Sequence, residues 1–256
     1  SFVLAVVFDF GIQGIAIASS ISFVISALYS TKVLLNIQQQ DDVFDVLVDK
    51  KEVSHKFFYV GFYIFVRSMF LTLFMAYLRN RASLMSMEEI ALQHVLLQLW
   101  SFGYVFVDAL AIAAQTLVSE YKTKFHDYRN SDLKKYLNKL TLRISVSLFV
   151  FSSIFLDTLI TLITDKSLGQ LIDFELRILF GLSLLIGSFA FLWDGVLLGL
   201  DKSREFSSLT IVSSIIGFIS CSYFLNFENT LSSLWMGLNL SLVYRGVAGF
   251  LYQIRD

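Results

Sequence analysis

The sequence contains no proline, one cysteine and three histidines, and only 16% of its 256 residues are charged. A single cysteine, Cys221, excludes an internal disulfide framework and a cysteine-based zinc cluster. It lies in an apolar segment and reads as a small packed hydrophobe. His55, His94 and His126 are far apart in the chain. There is no Walker loop, G-x-G-x-x-G, H-E-x-x-H or G-x-S-x-G, so neither nucleotide-driven transport nor intramembrane hydrolysis has a visible engine, and no enzyme and no cofactor are expected. A net charge of -1 points to no nucleic-acid partner.

What is abundant is apolar length. The chain is 56% hydrophobic with a mean hydropathy of +0.68, whereas soluble domains average about 45–50% apolar and about 25% charged. A membrane-crossing helix needs roughly 20 mostly apolar residues. Gly14–Leu35, Phe57–Leu78, Ile90–Val118, Ile144–Thr164, Arg177–Leu200, Ser207–Leu225 and Leu231–Tyr252 meet that length. These segments lack the polar faces of a soluble bundle and are too long for barrel strands. Phe2–Phe10 reads as the tail of an eighth span, and the chain, opening on Ser1 without a basic leader, reads as part of a longer one. Short polar connections such as Asp201–Phe206 and Asn226–Thr230 make neighbouring helices antiparallel.

Basic residues set the expected orientation. One set of alternate connections holds Lys32, Lys50, Lys51, Lys56, the seven from Lys122 to Arg143, Lys202, Arg204 and Arg255; the other holds Arg79, Arg81, Lys166 and Arg177. The richer set, and with it the C-terminus, is expected in the cytoplasm. There, Asn36–Lys56, with QQQDD at its centre, reads as a linker between helix groups. Ser131–Leu140 reads as a basic amphipathic helix in the headgroup region, with Ser131 as N-cap.

Ionisable residues inside the spans carry the functional signal. An Asp, Lys or Arg at a helix centre costs about 2.5–3.5 kcal/mol, so such residues face a bundle interior or a watery cavity. His94, Ser101, Asp108 and Gln115 recur every seven residues and form a stripe about 31 Å long, with Gln98 on an adjoining face. That stripe is expected to be a solute pathway or, alternatively, a hydrogen-bonded seam between helices. Ser183, Gly187, Ala190 and Asp194 form a face of small residues ending in a carboxylate, and Gly195 with Gly199 permits close helix approach. Arg67 and Arg245 lie in other spans, with Asp108, Asp194 and Asp9 as candidate partners. Each pairing is either structural or exchangeable as helices move. Burial favours a protonated carboxylate, so Asp108 or Asp194 could load a proton.

Several stretches resemble one family, the multidrug and toxic compound extrusion (MATE) transporters, in the branch of the DNA-damage-inducible protein F. IALQHVLLQLWSFGYVFVDALAIAAQTLVSE resembles its eighth helix, FLWDGVLLGLDKSRE its tenth and FGIQGIAIASSIS its sixth, while LWMGLNLSLVYRGVAGFLYQIR fits the twelfth. The resemblance implies an all-α, polytopic transmembrane helix bundle: the C-terminal six-helix lobe of a twelve-helix transporter, plus the preceding helix. Residues 1–35 would close the N-terminal lobe, 36–56 would be the interlobe linker and 57–256 the C-terminal lobe. The implied activity is proton- or sodium-coupled efflux of an organic, often cationic, compound by two lobes rocking about a cavity. The implied partners are the lipid bilayer, that substrate and the N-terminal lobe of the same protein, in a bacterial inner membrane. Asp108, Gln115 and Asp194 match family positions, and Gln98 and Trp100 match its LQLW pattern. The absence of proline and the order Gln93–His94 depart from it. The branch's ion-coupling aspartate belongs to a helix outside this sequence. The alternatives are a lipid-linked saccharide flippase, which calls for a cavity rich in Arg and Lys, and a non-transporting membrane scaffold or fragment.

Overall fold

The structure, a computed structural model, describes residues 11–40, 50–125, 132–164 and 166–255. They form α1 (Gly11–Gln40), α2 (Lys50–Ala82), α3 (Met87–Phe125), α4 (Asp132–Ile163), the single turn α5 (Lys166–Gly169), α6 (Phe174–Gly199), α7 (Ser203–Phe227) and α8 (Leu231–Arg255). Seven of these helices, all but α5, are long and apolar enough to cross a membrane. The fold is thus the all-α polytopic bundle expected from the apolar runs. The tail at Phe2–Phe10, Asp9 and Ser131 lie outside the described residues.

Two compact units divide the chain, residues 1–57 and 58–256. The first contains α1 and the opening turns of α2, so the polar stretch 36–56 is helical at both ends. A second difference concerns Ser131–Leu140. From Asp132 onward it is no separate interfacial helix; it forms the first turns of α4, which runs without a break into its span. Leu137 drives this continuity. It is buried with Ala114, Val118, Leu192, Trp193 and Val196, so the apolar face serves the bundle core.

Helix ends are set by local chemistry. Ser86 and Glu89 form a capping box at the start of α3: the Ser86 N–H and hydroxyl donate to Glu89 Oε2 (3.0 and 2.8 Å), and the Glu89 N–H donates to Ser86 Oγ (3.3 Å). Lys202 N–H donates to the Leu197 carbonyl (2.9 Å) and Asp201 N–H to that of Leu198 (3.0 Å), with Asp201 at φ 66°. This is the left-handed closure that ends a helix and reverses the chain. Lys122 reaches from α3 to donate to the Leu200 carbonyl at the same terminus (2.8 Å).

In the second unit α6 is the central helix, packed on α3, α4 and α8, with α7 on the far side of α8. Close contact depends on small residues, because apolar lipid offers no hydrophobic drive between helices and van der Waals approach must supply the attraction. A methyl group at Gly195 would strike the Ala111 carbonyl, and one at Gly199 would lie 2.6 Å from the Gln115 carbonyl oxygen. The GxxxG pair therefore seats α6 directly on the α3 backbone. The α7–α8 seam works the same way: Gly237 lies against the Cys221 backbone, and Ser241 donates to the Ser213 carbonyl (2.8 Å). Deeper in the core, Trp235 Nε1 donates to Gln93 Oε1 (2.9 Å). Helix α2 meets the others through long side chains: Phe74 packs edge-on to Phe218 and Tyr77 hydrogen-bonds Ser222 (2.6 Å).

Replacing Gly195 with alanine forces α6 off the α3 backbone. It should cost about 1–3 kcal/mol of stability, read as a lowered unfolding midpoint in detergent. A methyl at Gly61 meets nothing within 4 Å, so Gly61→Ala should leave the midpoint unchanged or raise it slightly.

Candidate functional site

The α3–α6 seam decides where the charges fall. Asp194 immediately precedes Gly195, and Asp108 lies one turn before Ala111, the residue that Gly195 contacts. The two carboxylates are therefore held in neighbouring turns. Asp194 ends up 6% exposed, facing α8, where Arg245 is 3% exposed, and Arg245 Nη2 donates to Asp194 Oδ2. The guanidinium also lies over the Phe191 ring, 4.7 Å from its centroid. Arg67, on α2, takes a different environment. Its Nε donates to Thr210 Oγ1 (3.3 Å), and its guanidinium lies 4.2 Å from the centre of the Phe206 ring. Asp108 is exposed and has no ion-pair partner among the described residues.

Each of these four charges lies close enough to act electrostatically on the other three. Four helices thus bring two acids and two bases together, with a formal sum of zero. Two of them, Asp108 and Arg245, line a cleft of about 250 Å³ between α2, α3, α6, α7 and α8. Leu71, Phe74 and Met75 line its α2 side. Trp100, Ser101, Tyr104 and Asp108 come from α3, Phe191 from α6, Ser213 and Ser214 from α7, and Ser241 and Arg245 from α8. Two of its lining residues carry buried donors, Trp100 Nε1 and Arg245 Nε, that have no hydrogen-bond partner among the described residues. In a hydrocarbon surrounding an unmet donor is costly, so these two nitrogens gain if a side-chain shift brings an acceptor to them.

The expected site residues separate into groups. Ser101, Asp108 and Arg245 line the cleft, Asp194 sits behind it as the counter-ion of Arg245, and Arg67 lies within electrostatic reach. His94, Gln98 and Gln115 share the exposed side of α3 with Ser101 and Asp108 but do not line the cleft. His94 and Gln98 contact each other (3.1 Å). The small-residue face Ser183–Gly187–Ala190 is not an open groove. Tyr104 fills it, its hydroxyl over Gly187 and donating to the Ser183 carbonyl (3.0 Å).

Sequence reasoning overlooked Tyr104 and the polar face of α7. The signal for the second was present: Ser207, Thr210, Ser213, Ser214, Gly217 and Ser220 recur at helical spacing, and all are buried. Nothing in the sequence marked Tyr104, because its role depends on which helix faces the glycine.

Removing one member of the buried pair should be far more damaging than removing both. Arg245→Met leaves the Asp194 carboxylate uncompensated and should cost about 3–5 kcal/mol. Combining it with Asp194→Leu should restore much of that loss, measured as unfolding midpoints of the two single variants and the double variant.

No family profile and no curated protein matches the sequence. Solved structures do. The chain aligns with MATE in its straight conformation at a TM-score of 0.78 and 17% identity, covering 98% of this chain and 57% of that one. An outward-facing multidrug resistance MATE family transporter of the MOP superfamily aligns at 0.76 and 17% identity, over 98% and 57%. The Vibrio cholerae MATE transporter VcmN, in a mutant form, aligns at 0.77 and 16% identity, over 99% and 58%. The chain spans a little more than half the length of these structures, the extent expected of a C-terminal portion. It is an integral membrane protein by its seven apolar helices, and its fold is that of the MATE transporters.

Proposed function

We propose that the chain is the C-terminal lobe, with the helix before it, of a secondary active transporter that exports organic, often cationic, compounds in exchange for protons or sodium ions. A preceding lobe of the same protein completes it, the two alternating about a central cavity in a bacterial inner membrane with the C-terminus in the cytoplasm. The observation that carries this reading is the charge cluster beside an aqueous-sized cleft, with Asp108 exposed at its rim and committed to no partner. A carboxylate at that position can take up a cation or a proton when it faces one side and release it when it faces the other. The fixed Asp194–Arg245 pair supplies the field around it. Aromatic rings of Trp100, Tyr104 and Phe191 form neighbouring walls suited to a flat or cationic organic molecule.

One observation favours the second reading, a flippase for an anionic lipid-linked saccharide. The unpartnered donors, Trp100 Nε1 and Arg245 Nε, would suit a phosphate or sugar oxygen. Against it stands the formal neutrality of the four-charge cluster.

The test is ion-driven efflux of a cationic dye from vesicles containing the complete transporter. Asp108→Asn should reduce efflux to background while leaving the unfolding midpoint unchanged, because the side chain is exposed and unpaired. Asp194→Asn should lower both. Unaltered efflux by both variants at normal expression would remove the carboxylates from the mechanism.

A further inference from the structure

A second concavity lies away from the charged cleft, among the first turns of α4, the last turns of α8 and the flank of α6. It measures about 670 Å³ and is lined by Lys135, Asn138, Lys139, Leu142, Phe189, Trp193, Gly246, Val247 and Phe250. Its composition is stratified along the bundle. Lys135 and Lys139 stand at the outer end, one turn apart, both exposed. One turn further into α4, Leu142 faces the groove, and on the opposite wall Val247 and Phe250 stand exposed beside the buried Trp193, whose ring centre is 5.6 Å from that of Phe250. Between the two lysines along α4 lies Asn138, whose Oδ1 is buried without a hydrogen-bond partner among the described residues.

We propose that this groove is a binding site for an anionic glycerophospholipid with a hydroxyl-bearing headgroup, of the phosphatidylglycerol class. Three observations converge on that occupant. Two ammonium groups at the mouth match one phosphodiester. Lys139 has no carboxylate partner among the described residues, and the exposed contact of Lys135 with Asp132 (3.2 Å) is of the solvent-screened kind that a phosphate displaces readily. The Asn138 oxygen, without a partner among the described residues, is an acceptor that a turn of the half-buried amide would present to a headgroup hydroxyl and that a choline cannot satisfy. The apolar depth beyond it, open to the surrounding hydrocarbon, accepts an acyl chain, which a free phosphate compound lacks.

Location agrees with chemistry. The groove opens at the bundle end that also holds Lys122, Lys124, Lys202 and Arg204, the end the distribution of basic residues assigns to the cytoplasm. Basic pockets between membrane helices at that level bind acidic headgroups. Bound there, the lipid would join α4 to α8 across the flank of α6 that carries Trp193, next to Asp194.

The full chain in detergent, exposed to phosphatidylglycerol and phosphatidylcholine of matched chains, tests this by native mass spectrometry of retained lipid. Retention should favour phosphatidylglycerol on the order of tenfold. Lys135→Gln with Lys139→Gln should abolish the preference, while Lys124→Gln with Arg204→Gln, at the same end but outside the groove, should preserve it. Val247→Trp, a substitution at an exposed position, fills the apolar depth and should remove retention although both lysines remain. Equal retention of the two lipids, equal effects of the two lysine pairs, or full retention by Val247→Trp would each overturn the proposal. Displacement of the lipid by glycerol 3-phosphate at equal concentration would overturn it too, showing that the headgroup alone is recognised. None of these readouts depends on transport, so the outcome is independent of the function proposed above.

Discussion

The contact between Arg245 and Asp194 is the constraint around which the second unit is organised. Two ionised groups at bilayer depth persist only if they meet each other, and meeting requires α6 and α8 to be close, in register and rotated toward one another. The sequence of α6 meets those conditions with small residues. Gly195 and Gly199 bring it onto α3, Gly187 admits Tyr104, and Gly249 on α8 lies close to Trp193. Larger side chains at these sites would widen the spacing and open the pair. The glycine seams are thus the geometric condition for burying charge.

Small residues alone give little attraction per contact. Much of the remaining cohesion is polar and local. On the buried face of α7 the hydroxyls of Thr210, Ser213 and Ser214 return to carbonyls of their own helix, as Ser214 does to Thr210 (2.9 Å), while Ser241 and Ser220 reach across to the neighbouring backbone. A hydroxyl satisfied within its own helix costs nothing at the interface and leaves a narrow profile, which allows α7 and α8 to approach.

Much of this was legible from the sequence, because the dominant signals are local. Apolar run lengths located all seven long helices, and the intramembrane charges Arg67, Asp108, Asp194 and Arg245 identified the helices that meet. Two things were not legible. The heptad stripe from His94 to Gln115 was correctly expected on one face, yet only Ser101 and Asp108 reach the cleft, because periodicity gives a direction around a helix but says nothing of what stands opposite at each level. The segment beginning at Asp132 read as a helix of its own because its lysines and leucines separate cleanly. Burial of Leu137 against Val118 and Leu192 decided otherwise, and that contact joins residues remote in sequence.

The two basic residues have unequal commitments, and the asymmetry bears on movement. Arg245 is held by a carboxylate, a ring and the tight α6–α8 seam, so displacing it would strip a buried ion of its partner. Arg67 has only a hydroxyl at 3.3 Å and an aromatic face, and it sits on α2, whose contacts with the other helices run through long side chains. Displacing the Arg67 side chain therefore breaks only weak, replaceable interactions and leaves the buried pair intact. Were Arg67 to move, its field at the exposed Asp108 would change while that of Arg245 stayed fixed. A carboxylate that feels one constant and one variable positive charge changes its affinity for a cation with conformation, and that dependence is the minimum an ion-coupled transporter needs.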